Sequence, residues 1–469
     1  VHVDLAVLGA GPAGLAAAWR AARQGHSVAV LERAGDVGGM AASFTVDGVR
    51  VDHGSHRLHP SIDKRILGDL HELLGDDLQR RQRNGRLRVA GRWVGFPLRP
   101  VELARSLPPG MIAKVARDAA GAPLRRDRDP RDYAAALRAG LGPTLYEALY
   151  SPYAVKLWGL PGEEIDPEQA RRRVTADTPV KIAKRMLRVR RGTGQGRIFY
   201  YPRRGFGQIV EALADAAVAA GVTLRCATEV TGIDTGDDRV ELTTAGGERV
   251  SAGQLFSTIP LPVLGRITRP APDETALEST TRLEFRSMVL VYLTHDGARP
   301  WTEFDAHYLP QQGTPVTRIS EPANYRDSSQ DPHDRTVLCA EIPCDAGDSL
   351  WNASDERLAA LVDDAVTGCG LPPLRTAGVH VRRLRHVYPI YRTGYRDHLA
   401  GVDAWADTLP RVTTFGRLGL FAHDNTHHAL TMAYDAVAAL RGNAARGDSF
   451  DADSWHAARR RFANHVVED

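Results

Sequence analysis

Three glycines, Gly9, Gly11 and Gly14, followed by an acid at Glu32, are the first residues in this chain whose types and spacing imply chemistry. Residues 3–8, Val-Asp-Leu-Ala-Val-Leu, read as a short buried strand, and the Ala-rich run from Leu15 to about Gln24 reads as a helix. A second strand, His26 to Leu31, ends at Glu32. Gly9 permits a tight turn, Gly11 lets the backbone approach a pyrophosphate, and Gly14 lets helix and strand close on each other. Pro12 and Ala13 complete the turn, and the helix start offers amides and a partial positive charge to phosphates. Glu32, eighteen residues beyond Gly14, is spaced to hydrogen-bond ribose hydroxyls. An acid there disfavours a 2′-phosphate, so the set points to NAD or FAD and leaves both open.

The next segment is Glu32-Arg33-Ala34-Gly35-Asp36-Val37-Gly38-Gly39-Met40. A second glycine pair so soon after the ribose acid is not needed for NAD. The segment resembles the extended motif of the flavoprotein superfamily that includes amine oxidases, protoporphyrinogen oxidases, phytoene desaturases and UDP-galactopyranose mutases. That resemblance implies FAD, with Arg33, Gly38, Gly39 and Met40 along the cofactor. It also implies that the loop holding Gly54, His56 and His59 runs beside the isoalloxazine, with His56 as a catalytic and flavin-contacting residue. Val230 would meet the adenine side through its backbone. The run Gly416-Arg-Leu-Gly-Leu-Phe-Ala-His-Asp-Asn-Thr-His-His-Ala429 would return to the flavin, with Asn425, Thr426 and His427 at the start of a helix over about 429–442.

The same resemblance nominates a substrate set. Trp158, in Pro-Tyr-Ala-Val-Lys-Leu-Trp-Gly159, matches the tryptophan that packs near the mutase substrate. Arg172 or Arg173 falls near a diphosphate-binding arginine of the mutases, and Arg417 matches another. Arg318, in Arg-Ile-Ser-Glu-Pro322, would face flavin and substrate as a catalytic residue. His423 replaces a tyrosine and Asn425 an aspartate, departures that weaken galactopyranose mutase as the literal activity. Three functions follow: an FAD-dependent oxidoreductase passing a hydride to flavin N5 from an amine, alcohol or ring carbon of a small metabolite, with sugar-containing or nucleotide-linked compounds among the candidates, a redox-neutral sugar-nucleotide mutase, and a flavin protein that docks on a membrane or partner.

The elements that must position these residues are expected to form an α/β plus α+β chain. A discontinuous, Rossmann-like GR2-type FAD-binding domain would occupy 1–95, 198–285 and 408–469. A helical substrate or cap domain would fill 96–197, and an antiparallel β substrate domain 286–407. At 469 residues, 43% hydrophobic and 25% charged, the chain suits two or three globular domains. Its net charge of +3 excludes a general nucleic-acid binder. Ten Lys or Arg against one acid in 171–197 form a basic stretch that suits an anionic substrate or a membrane surface. His53, His56 and His59 recur every third residue, but Gly54 and Pro60 oppose a helix that would align them, so no metal is expected. Four cysteines without zinc spacing, and no apolar run of about 18 residues, fit a cytoplasmic setting.

Overall fold

The computed structural model describes residues 2–96, 105–125, 127, 129–173, 198–297, 299–440 and 450–467. Residues 174–197, which hold most of the basic stretch, therefore lie outside it. The alternating buried stretches collect into two large sheets. In the first, strands follow the order Thr268–Arg269, Val230–Thr235, Val240–Thr244, Arg249–Ser257, His2–Leu8, Val28–Leu31, Thr223–Arg225, and Val412–Thr414 also pairs with Arg249–Ser257. His2–Leu8 runs parallel to both neighbours, Val28–Leu31 and Arg249–Ser257. A parallel centre must be covered on both faces, and it is. Pro12–Arg23 packs on one face with Gln208–Ala219 and Thr426–Ala438, and Tyr395–Thr408 covers the other with Leu261–Ile267. Alanines at 13, 16, 17, 18 and 21, all buried, let the first helix lie close between its neighbours.

The second sheet orders Thr376–Pro389, Phe285–Asp296, Arg335–Cys344, Arg318–Ser320, Ala306–Tyr308, Gly85–Val89, Arg92–Phe96. Its long central strands are antiparallel, as expected of the β segment within 286–407. One difference concerns the hairpin Gly85–Val89 and Arg92–Phe96. It was expected in the first FAD-domain part, yet Gly85–Val89 pairs in parallel with Ala306–Tyr308 and joins this second sheet. Short helices, among them Tyr133–Leu141, Ser151–Trp158 and Glu168–Arg173, pack around a separate apolar cluster that includes Trp158. All four cysteines are free, and three are buried. Among the described residues no helix is long and apolar enough to cross a membrane.

Candidate active site

The turn after the first strand exposes bare backbone at the start of a helix. Gly9 has φ +98°, and a Cβ there would lie 2.4 Å from Thr258 Oγ1. A Cβ on Gly14 would lie 1.9 Å from the Gly9 carbonyl oxygen, so helix and turn touch through a bare backbone. At Gly11 the same construction meets nothing within 4 Å. Gly11 caps the helix that begins with Pro12 and buried Ala13, so open space lies where the helix presents its free amides. Glu32 Oε2 accepts from Ala10 N–H and Oε1 from Ala34 N–H, both at 2.8 Å, which holds the carboxylate at the ends of the central strands. Thr228 N–H donates to Glu32 O at 2.8 Å, and Val230 opens the strand Val230–Thr235 two residues later. Arg33 is exposed.

Two distant segments close on this turn. Gly38, with φ +110°, donates its N–H to Ala10 O at 2.8 Å, and the Cβ position of Gly39 lies 3.8 Å from Gly11 Cα. Half-buried Met40 continues from them. Gly416, with φ +81°, places its own Cβ position 3.2 Å from Ala13 Cβ. The helix Thr426–Ala438 then starts three residues before the expected Ala429. Asn425 caps it: its side chain accepts from the His428 backbone, while His428 Nδ1 accepts from Asn425 N–H at 3.2 Å. Buried His427 lies beside Ser61, Nε2 to Oγ 3.3 Å. Two helix starts and two bare-backbone loops thus meet in a cradle that fits a dinucleotide.

The loop after Val49–Asp52, a strand that forms a two-stranded sheet with Ser43–Val46, reaches the second large sheet through Ser55 N–H to Glu341 Oε1 at 2.9 Å. His56 stacks on Phe206 with ring centres 5.1 Å apart, and its Nε2–H donates to His53 O at 3.0 Å. Burial lowers the pKa of His56. Arg318 does not stand free: Nε and Nη2 bond Glu341 at 2.6–3.0 Å, and Nη2 also reaches Ser55 O at 3.4 Å. His59 bonds Ser61 at 2.8 Å, and His53, His56 and His59 do not converge.

A second cluster gathers Trp158, Tyr388, His423 and Arg417. His423 stacks on Tyr388 (5.2 Å, 12°) and meets Trp158 edge-on at 5.3 Å. Arg417 sits 4.9 Å from the Tyr388 ring centre and donates Nη1 to Asp424 O at 3.3 Å. Its Nε and Nη2 are shut off from solvent and have no partner among the described residues. Arg173 lies 5.3 Å from the Trp158 ring. Arg172 is committed elsewhere, to Glu168 at 2.9 Å and Asp424 at 3.5 Å. Burial, then Arg173, Arg417 and Arg172, hold the pKa of His423 well below 6.5, so its imidazole is neutral.

The family model for flavin-containing amine oxidoreductases matches residues 12–438 of this sequence. The chain belongs to that family. Its cofactor is FAD. The flavoprotein is 43% identical over 85 residues to putrescine oxidase from Kocuria rosea, a stretch covering 18% of this chain and 17% of that protein. Among solved structures it is similar to a reduced UDP-galactopyranose mutase, with TM-score 0.80, 20% identity and coverage of 99% of this chain and 100% of the other. It is also similar to putrescine oxidase bound to putrescine, with TM-score 0.61, 16% identity and coverage of 93% and 98%. These likenesses show the fold.

Several residues of this flavoprotein's site escape sequence reasoning. Glu341 has no local motif; only the strand register, Arg318 opposite Glu341, reveals it. Asp424, His428 and His465 bring three potential ligand atoms within 4.8 Å of one another. The two imidazoles stack in parallel, with ring centres 4.2 Å apart and planes at 14°. His428 Nδ1 already accepts from Asn425, and Asp424 also faces Arg172. The group therefore acts as a hydrogen-bonded pin, in which Asp424 ties the C-terminal helix Ala452–Phe462, through His465 at 3.2 Å, to the start of Thr426–Ala438.

Proposed function

We propose that the protein is an FAD-dependent oxidoreductase whose small-molecule substrate carries an anionic group. Arg417 carries this reading. A buried guanidinium whose Nε and Nη2 have no partner among the described residues is costly unless something satisfies it. A phosphate or carboxylate does so with short charge-assisted bonds, and an adjacent neutral His423 imposes no opposing charge. Arg173 beside Trp158 adds to the positive field, which disfavours an ammonium group at this spot despite the amines in the family's description. A sugar phosphate or nucleotide-linked sugar has both the anion for Arg417 and a body to lie against Trp158 and Tyr388.

FAD, when bound, supplies a hydride acceptor at N5. The chain's own part is orientation and proton handling. Arg417 fixes the anionic end, and the Trp158–Tyr388–His423 aromatic group excludes water beside it. His56 is the proton acceptor in this reading: its Nε2–H is spent on His53 O, so the neutral ring offers Nδ1 as the base. Arg318, held by Glu341, orients the loop rather than touching substrate.

The test is anaerobic mixing of the purified yellow protein with putrescine and with phosphorylated or nucleotide-linked sugars, following flavin bleaching. Bleaching by an anionic compound and not by putrescine is the expected result. Bleaching by putrescine alone would overturn the anionic substrate. The redox-neutral mutase is a second reading, favoured by the Nε–Nη2 edge of Arg417, a fork that suits a diphosphate. It requires that only pre-reduced protein turns over, with no net consumption of electrons. The membrane or partner reading depends on 174–197, outside the described residues.

A further inference from the structure

We infer that Glu341 is a positioning residue for the flavin, acting as one half of a charge-neutral clamp that holds the Ser55 peptide from both sides. The inference rests on the reading that the Gly54–His56 loop borders the isoalloxazine, and the experiment below separates the two.

The geometry starts from strand pairing. Arg318–Ser320 and Arg335–Cys344 are antiparallel, with Arg318 directly opposite Glu341, where cross-strand side chains come within contact. The guanidinium donates Nε to Glu341 Oε1 at 3.0 Å and Nη2 to Oε1 and Oε2 at 2.6 and 2.8 Å. Glu341 Oε1 also accepts Ser55 N–H at 2.9 Å, while Arg318 Nη2 reaches Ser55 O at 3.4 Å. The ion pair thus treats Ser55 as a neighbouring strand would, satisfying both its amide and its carbonyl. Gly54 makes the approach fit: with φ +90°, its Cβ position is 3.4 Å from Glu341 Oε1 and 3.7 Å from Leu290 Cδ2. Ser55 Oγ is further bonded to Tyr325. The side chains of Arg318 and Glu341 are 14% and 5% exposed, so water screens the pair weakly.

Neutrality is the functional part. With both partners present, the clamp adds little net field at the loop. Removing one charge leaves the other unbalanced in a poorly screened position, and a neighbouring charge changes how readily the flavin takes electrons. Glu341→Gln leaves Arg318 uncompensated and stabilises the reduced, more negative flavin. Arg318→Gln leaves Glu341 uncompensated and does the reverse.

The experiment measures the midpoint potential of the FAD-loaded protein by dithionite titration, with the visible circular dichroism of the flavin as a second signal. Glu341→Gln should shift the potential to more positive values and Arg318→Gln to more negative ones. The double variant should return towards the wild type. Opposite signs with rescue are not what loss of structure would produce. Same-sign shifts, or no shift in either variant while His56→Ala alters the flavin dichroism, would overturn the clamp and leave the loop at the flavin. An unchanged flavin signal in His56→Ala as well would instead remove the loop from the flavin, and the clamp with it. Where Glu341→Gln does not fold, Glu341→Asp keeps the charge and shortens the reach. It should retain the wild-type potential but alter the dichroism, and an unaltered dichroism counts against the clamp.

Discussion

Arg417 brings a full charge into a pocket where Nη1 finds the Asp424 carbonyl, the guanidinium lies over the Tyr388 ring, and Nε and Nη2 find no partner among the described residues. Burial lowers its pKa, and Arg173 adds to the effect against the opposing pull of Tyr388, Asp424 and Tyr391. Removing such a group should cost the empty protein little and the anion complex much. Arg417→Met keeps the bulk and deletes the charge. Its thermal midpoint without ligand should equal or exceed that of the wild type, because an uncompensated charge has been removed. Inorganic pyrophosphate should raise the wild-type midpoint and fail to raise that of the variant, since truncating one partner of a buried charge pair costs roughly 2–5 kcal/mol. A variant still stabilised by pyrophosphate would remove Arg417 from the anion seat. Arg417, Trp158 and His423, each singled out from a motif, are brought together around Tyr388. The commitment of Arg172 to Glu168 and Asp424 was not legible in the sequence, since Asp424 approaches only when the C-terminal block folds back across the helices.

The strand–turn–helix element was the most legible part, because each glycine acts on neighbours within a few residues. Its roles can be separated. At Gly14 an added methyl collides with the Gly9 carbonyl oxygen at 1.9 Å, a backbone contact that cannot rotate away. Gly14→Ala should therefore lose fold and flavin together, with overpacking costing about 1–3 kcal/mol or more. At Gly11 the methyl enters open space from a φ of −79° that any residue adopts. Gly11→Ala should unfold in urea like the wild-type apoprotein yet bind FAD poorly, because the methyl occupies the path of the pyrophosphate. Flavin absorbance per protein and apoprotein urea midpoints check both variants; full flavin loading in Gly11→Ala would move the pyrophosphate elsewhere. Other elements resisted reading for a physical reason. Gly85–Val89 and Arg92–Phe96 have the same alternation whichever sheet they join, and their partner Ala306–Tyr308 lies about two hundred residues away. The early start of Thr426–Ala438 was hidden because His428, not Glu or Gln, completes the cap.

At the scale of the whole molecule, one sheet draws its strands from 2–31, 223–269 and 412–414, so folding must bury groups that are far apart in sequence. Histidines are caught in this burial. Among the described residues His53, His56, His295, His307, His380, His386 and His423 all have pKa values lowered from 6.5, in each case chiefly by burial. Unfolding releases them to their ordinary value, so below about pH 6.5 the unfolded chain binds more protons than the folded one. Their contribution to stability is complete above that pH and is lost as pH falls towards each folded value. Buried Glu321 and Asp403, whose pKa values burial raises, work in the opposite direction, but they are two against seven and start from lower ordinary values. The thermal midpoint should therefore drop steadily from pH 7.5 to 5 at constant ionic strength. His307 can be followed in detail. It accepts Arg86 Nε–H at 2.8 Å, lies against Trp93, Trp301 and Phe304, and is pushed down to about 3, first by burial and then by Arg86. A ring in that position resists protonation through nearly the whole acid range. His307→Gln, which cannot titrate, should flatten the decline between pH 6.5 and 4, even if its midpoint at pH 7.5 is lower. A variant that keeps the full wild-type slope would show that His307 is not one of the groups setting it.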